Sequence, residues 1–178
     1  MVCCRPRRDE AVGQDGDQRA AGRARDAGVI PYAAAMDSAR MQLTTANAII
    51  EAALAASTRS RFRPMGVVVL DDSGHLVAAQ RQDGASMFRI DVAIGKAWAA
   101  VGMGASSRSL GERAAANPNF FVTLASTAHG RFLPQTGAVL IKDEAGHILG
   151  AVGASGGTGD EDEEICIAGV EAVGLHAG

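Results

Sequence analysis

Apolar residues recur at helical spacing in four stretches of the chain and run almost continuously in four shorter ones. The first periodic stretch starts near Thr44 or Thr45, either of which can cap a helix running to about Ser57, with Ile50, Leu54 and intervening alanines on its buried side. The arginine-rich run 59–63 ends it and Pro64 prevents it resuming. Residues 65–70 are then continuously apolar and rich in valine, which predicts a buried strand. Asp71, Asp72, Ser73 and Gly74 make a turn, and residues 75–80 return as the partner strand of a hairpin.

Ser86 precedes a second helical pattern, in which Met87, Ile90, Ala93, Ile94, Ala97, Trp98 and Val101 mark a wide apolar face. Ser109, with Glu112 three residues on, starts a short alanine-rich helix that Asn117 and Pro118 stop. Periodicity is lost over 119–136, which reads as a long irregular loop. Strands at 138–141 and 148–154 around a turn at 142–146 give a second hairpin, and the second strand empties into Ser155, Gly156, Gly157, Thr158 and Gly159. A last helix begins close to Asp160, which forms a capping box with Glu163, and carries Ile165, Ala168, Gly169 and Ala172 at helical spacing.

The two hairpins can be laid over one another, Ser73-Gly74-His75-Leu76-Val77 upon Ala145-Gly146-His147-Ile148-Leu149. Two hairpins with helices before, between and after them predict an α+β domain, an antiparallel sheet covered by helices. With 178 residues, 47% of them apolar, the chain has material for one core. Residues 1–40 are Arg, Asp, Gly, Gln and Ala without periodicity, so a disordered N-terminal extension is expected there, with the domain at 41–176. The arginines of that extension offer a docking tail as the alternative, and Met36 and Met41 stand where a later start codon would open the domain.

Net charge is −3 and the basic residues gather in the first forty positions, so the domain offers no basic face for nucleic acid. Cys3, Cys4 and Cys166 make neither a disulfide framework nor a spaced metal site, which favours a reducing compartment. No apolar run approaches the ~20 residues that span a bilayer, and the start CCRPRRDE lacks the apolar core of a secretory signal. The expectation is a cytoplasmic protein without membrane partners.

Chemistry concentrates late in the chain. A glycine-rich turn between strand and helix invites a phosphate loop, but the lysine of such a loop is missing and Glu161, Asp162, Glu163 and Glu164 would repel phosphate. Those acids either stabilise the helix start or build a cation or polar-ligand site on Asp162 and Glu163. Lys96 lies beside the apolar face of its helix, either as a surface lysine or as a pocket cation. The irregular loop mixes Phe120, Phe121, Phe132 and Leu133 with His129 and Arg131, a composition suited to a ligand lid.

The pattern GAVGASGGTGDEDE resembles the signature of the GlcG/HbpS haem-binding (haem-degrading) family, a domain also found at the C-terminus of PduO-type corrinoid adenosyltransferases. PMGVVVLDDSGHLVAAQRQDGAS resembles that family's first hairpin, with Arg81, Asp83, Gly84 and Ala85 at its end, and DVAIGKAWAA its helix with Lys96 and Ala97. The resemblance covers roughly 43–175. This chain departs from it at Gln135-Thr136-Gly137-Ala138-Val139, where many members carry Gly-Gly-x-Pro. It also has no histidine in the first helix, where the PduO-type domain places its haem ligand.

The resemblance implies a profilin-like or PAS-like arrangement of about five strands, and a haem or tetrapyrrole ligand, in some members coupled to iron release or haem breakdown. On that reading His129 is the axial ligand and Phe120, Phe121 and Phe132 form the slot. Arg131, Arg81 or Lys96 meet the propionates, Asp83 orients Arg81, and Ser155 and Gly156 of the glycine-rich turn complete the site. One alternative is an enzyme of a catabolic operon acting on a small oxo- or hydroxy-acid, with Asp162 or Glu163 as acid or base and Lys96 or Arg81 as clamp. Another is a non-catalytic accessory or regulatory oligomer. A homo-oligomer is expected in either case, because Ile165, Cys166, Ile167, Ala168, Gly169, Val170, Ala172 and Val173 leave the last helix apolar nearly all round.

Overall fold

Strand β1 (Gly66–Asp71) is an interior strand, apolar on both sides: Val67 and Val69 point to one face of a sheet, Val68 and Leu70 to the other. The computed structural model of the protein describes residues 40–178. The expectation of disorder for 1–40, with Cys3, Cys4 and the arginine tail, falls outside the described residues except for Arg40.

β1 pairs with β2 (Leu76–Arg81) as the first hairpin, and β3 (Ala138–Lys142) pairs with β4 (Ile148–Ser155) as the second. The hairpins join through β1 and β4, Val68 opposite Gly153, and all pairings are antiparallel. The sheet order is β2-β1-β4-β3-β5, the edge strand β5 (His176–Ala177) being an element that periodicity did not reveal. It is two residues long, too short to leave a pattern. With the five helices among the described residues, this is the α+β fold expected, the sheet having five strands.

Helices cover both faces. α1 (Leu43–Arg59) and α5 (Gly159–Glu171) pack on one, where Ile49, Ile50, Ala53, Ile165, Cys166 and Val170 meet Val67, Val139 and Val152. α2 (Phe88–Met103) crosses the other, setting Ala93, Ala97 and Ala100 against Val68, Leu140 and Ala151. Gly153 permits that approach, since a Cβ there would stand 2.4 Å from the Ala93 carbonyl oxygen. α3 (Ser107–Ala116) and α4 (Pro118–Thr127) lie outside α2.

Three expectations are corrected here. The stretch 119–136 is not one irregular loop: Pro118, read as a stop, is the first residue of α4, where its missing N–H costs nothing. Phe121, Leu124, Ala125 and Ala128 then recur at helical spacing and pack with Phe132 and Leu110. The capping box of α5 is formed by Thr158 and Glu161, two residues before the pair Asp160 and Glu163. Finally, the apolar surplus of α5 is met within the chain. Val170 is fully buried in the cluster that includes Ile49, Ile50 and Ala53 of α1, so the helix gives no argument for a partner subunit.

Candidate functional site

The end of β4, the loop leading into β3, the first half of α2 and the first turn of α5 converge on a cavity of about 600 Å³. Arg89, Val92, Lys96, Pro134, Gln135, Thr136, Ser155 and Asp162 line it, together with backbone at Gly111, Gly157 and Gly159. Lys96 and Asp162 are its buried charged members, with side chains 5% and 3% exposed, and Ser155 is buried beside them. Their charges meet directly: Lys96 Nζ stands 2.7 Å from Asp162 Oδ2.

Each partner is further satisfied. Lys96 Nζ donates to the Ala154 carbonyl at 3.2 Å, and Asp162 Oδ1 accepts from the Gly157 N–H at 3.0 Å. Such a pair holds together only because these contacts offset the loss of water around two charges. An ammonium has three donors, so the two contacts of Lys96 leave one N–H without a hydrogen-bond partner among the described residues. Gly137, at φ +124°, passes over the pair; a Cβ there would lie 2.6 Å from Lys96 Nζ and 2.7 Å from Asp162 Cβ. In this chain Gly137 is thus required both by backbone conformation and by space.

The cation on the other wall is Arg89, half-buried, whose Nη1 donates to Ser155 Oγ at 3.3 Å. Among the described residues it makes no salt bridge. Above the start of α5, Arg108 binds Glu163 at 2.7 Å through Nε and also Asp160. Those hydrogen bonds, Glu163 first and Asp160 second, push its guanidinium above the ordinary arginine range. Ser107, the first residue of α3, is pinned to β3 by donating to the Ala138 carbonyl at 3.0 Å and accepting the Ala138 N–H at 2.7 Å.

Of the residues singled out in sequence, the cavity collects Lys96, Ser155 and Asp162. Asp162 and Glu163 do not stand together as a cation site: one is held by Lys96, the other by Arg108. Among the described residues no group of three His, Cys, Asp or Glu side chains is placed to hold a metal. Gly156 is buried against Met65 and Pro64, and Arg81 closes its own turn by donating to the Ala85 carbonyl at 3.0 Å. Asp83 is exposed and makes no ion pair with Arg81.

Phe121 and Phe132 are core residues, each 5% exposed with ring centroids 5.9 Å apart. Phe120 is 49% exposed on α4, and His129 and Arg131 are exposed just beyond that helix. The hairpin histidines are also on the surface, His147 Nδ1 lying 2.9 Å from Asp143 and His75 Nδ1 3.6 Å from Asp71.

Arg89, Gln135 and Thr136 were not anticipated as lining. The pattern of α2 marks Arg89 only as a polar residue beside Ile90, and Gln135 and Thr136 stood out only as a departure from the family's run. No helix among the described residues is long and apolar enough to cross a membrane.

Solved structures share this architecture. HbpS of Streptomyces reticuli, as a double mutant, is 26% identical with a TM-score of 0.66, over 77% of this chain and 89% of that one. PduOC in complex with haem is 21% identical with a TM-score of 0.69, over 76% and 96%. Protein ORFY of Klebsiella pneumoniae is 22% identical with a TM-score of 0.68, over 75% and 90%. No curated protein matches the sequence. The family described as haem degrading protein HbpS-like matches residues 41–171, and the chain therefore belongs to it.

Proposed function

We propose that the protein binds haem or a related tetrapyrrole, on its surface beside the C-terminal end of α4. The observation that carries the reading is membership of the HbpS-like family across nearly the whole domain. The haem complex of the structurally similar PduOC supports it.

Haem iron takes a nitrogen or sulfur donor and haem itself a largely apolar slot. The cavity does not fit that group. Its lining has no His, Cys or Met, and only Val92 and Pro134 contribute apolar side chains. The Phe121 and Phe132 rings leave no slot either, because Leu110, Trp98 and Leu124 fill the space around them. His129 is a better donor: it is exposed in the turn after α4, held at φ +53°, with Arg131 two residues on to meet a propionate. Phe120 and Val122 give α4 an exposed apolar surface nearby in sequence. The proposal extends to binding; iron release or haem breakdown would be a second step with its own test.

Titration with haemin is the decisive measurement. A saturable Soret shift at about one haem per chain is expected, with His129→Ala weakening binding and moving the band while His75→Ala leaves both unchanged. No saturable shift in the wild type would overturn the proposal, and an unchanged His129→Ala spectrum would remove His129 as the iron ligand.

A further inference from the structure

We propose that the cavity between α2, β4 and α5 is a binding site for the carboxylate group of an organic acid, held by Arg89 and by the remaining N–H of Lys96. None of the residues named for the surface haem reading lines it, so a small free acid bound there would not depend on that reading. Its volume of about 600 Å³ lies within the range of small-molecule sites, roughly 300–1,000 Å³, and its walls are polar where a hydrocarbon pocket would be apolar.

The charges select the ligand. Arg89 and Lys96 supply two positive charges and Asp162 one negative, so the lining carries a single net positive charge that one carboxylate neutralises. The Lys96 and Asp162 side chains are more than nine-tenths buried, and the contacts to Ala154 and Gly157 fix them in place. The ammonium is therefore preorganised and needs no rearrangement to receive an anion. Arg89 completes the clamp: its guanidinium has five N–H donors in a planar fork, and among the described residues the contact with Ser155 engages one of them. A dianion such as phosphate would leave a negative charge uncompensated beside Asp162. The Gln135 amide and the Thr136 and Ser155 hydroxyls suit an acid that also carries a hydroxyl or carbonyl group.

A carboxylate of this kind comes either from a small free acid or from an arm of a larger ligand, and the test separates the two. Calorimetric titrations of the full chain would use lactate, pyruvate, the neutral lactamide and inorganic phosphate. Haemin and its dimethyl ester, whose carboxylates are blocked, would be compared in parallel.

Saturable binding of an acid, absent for lactamide and weakened tenfold or more in Arg89→Gln but largely kept in Arg89→Lys, is the expected result. Arg89 dependence found for haemin and lost for its dimethyl ester would assign the carboxylate to a tetrapyrrole arm. The proposal falls if lactamide binds as well as lactate, or if phosphate binds more tightly than the acids. It falls equally if Arg89→Gln, folded by circular dichroism, binds as the wild type does, or if no carboxylate, haemin's included, shows Arg89-dependent binding.

Discussion

Lys96 and Asp162 lie 66 positions apart in the sequence and 2.7 Å apart in the structure, as a buried ion pair that joins α2 to the first turn of α5. Removing one partner strands the other charge away from water, which costs about 3–5 kcal/mol, whereas replacing both by apolar groups does not. Asp162→Leu and Lys96→Met are therefore each expected to be strongly destabilising, and the double variant Lys96→Met/Asp162→Leu less so than their sum. Urea unfolding of the four proteins measures this. Additive losses would mean that the two charges do not stabilise one another.

Gly137 should tolerate no side chain. At φ +124° an alanine carries a backbone cost of about 1–3 kcal/mol, and its Cβ would collide with Lys96 and Asp162. Gly146, at φ +85° with open space around it, shares only the backbone cost. Gly137→Ala is expected to lower the melting temperature clearly more than Gly146→Ala. Equal losses would dismiss crowding at the ion pair.

The aromatic residues near α4 divide by burial. Phe121→Ala and Phe132→Ala empty a packed cluster and should each cost about 3–5 kcal/mol. Phe120→Ala loses an edge contact with Phe121, centroids 5.3 Å apart, worth about 1 kcal/mol. If the chemical denaturation midpoints of Phe121→Ala and Phe120→Ala agree, Phe121 is not the core residue described here.

Cys166 is fully buried, and its thiol is pushed up chiefly by burial and then by the charge of Asp162. The folded state thus favours the neutral thiol. This contribution is fully present below the ordinary thiol value of 9.0 and is lost as pH rises above it, because the unfolded chain then gains by ionising. In a Cys3→Ser/Cys4→Ser background, DTNB at pH 8 is expected to react with Cys166 only after unfolding in urea. Rapid reaction of one thiol in the folded protein would contradict the burial. Cys166→Ala should also flatten the alkaline fall in melting temperature.

The elements set by local pattern were legible in the sequence alone. The valine runs around β1, the superposable turns at Gly74 and Gly146 and the periodic faces of α1 and α2 follow from how neighbouring residues alternate between core and solvent, and with them the α+β class. The same locality explains the errors. Pro118 marks either the end of a helix or the start of the next, and only the packing of Phe121 and Leu124 against Leu110 and Phe132 decides for α4. The apolar girth of α5 is met by α1, a contact between opposite ends of the domain that periodicity cannot carry.

The motifs around Lys96, Arg81 and the glycine-rich turn identified the family, but a site is a relation between elements. Sequence could list Lys96 and Asp162 as charges; only the crossing of α2 over the sheet, permitted by Gly153, makes them a pair. Arg89 had no local mark at all. It acquires a role because tertiary structure sets it beside Ser155 on the wall of a cavity while leaving it no salt bridge among the described residues, a property of the surroundings rather than of the residue.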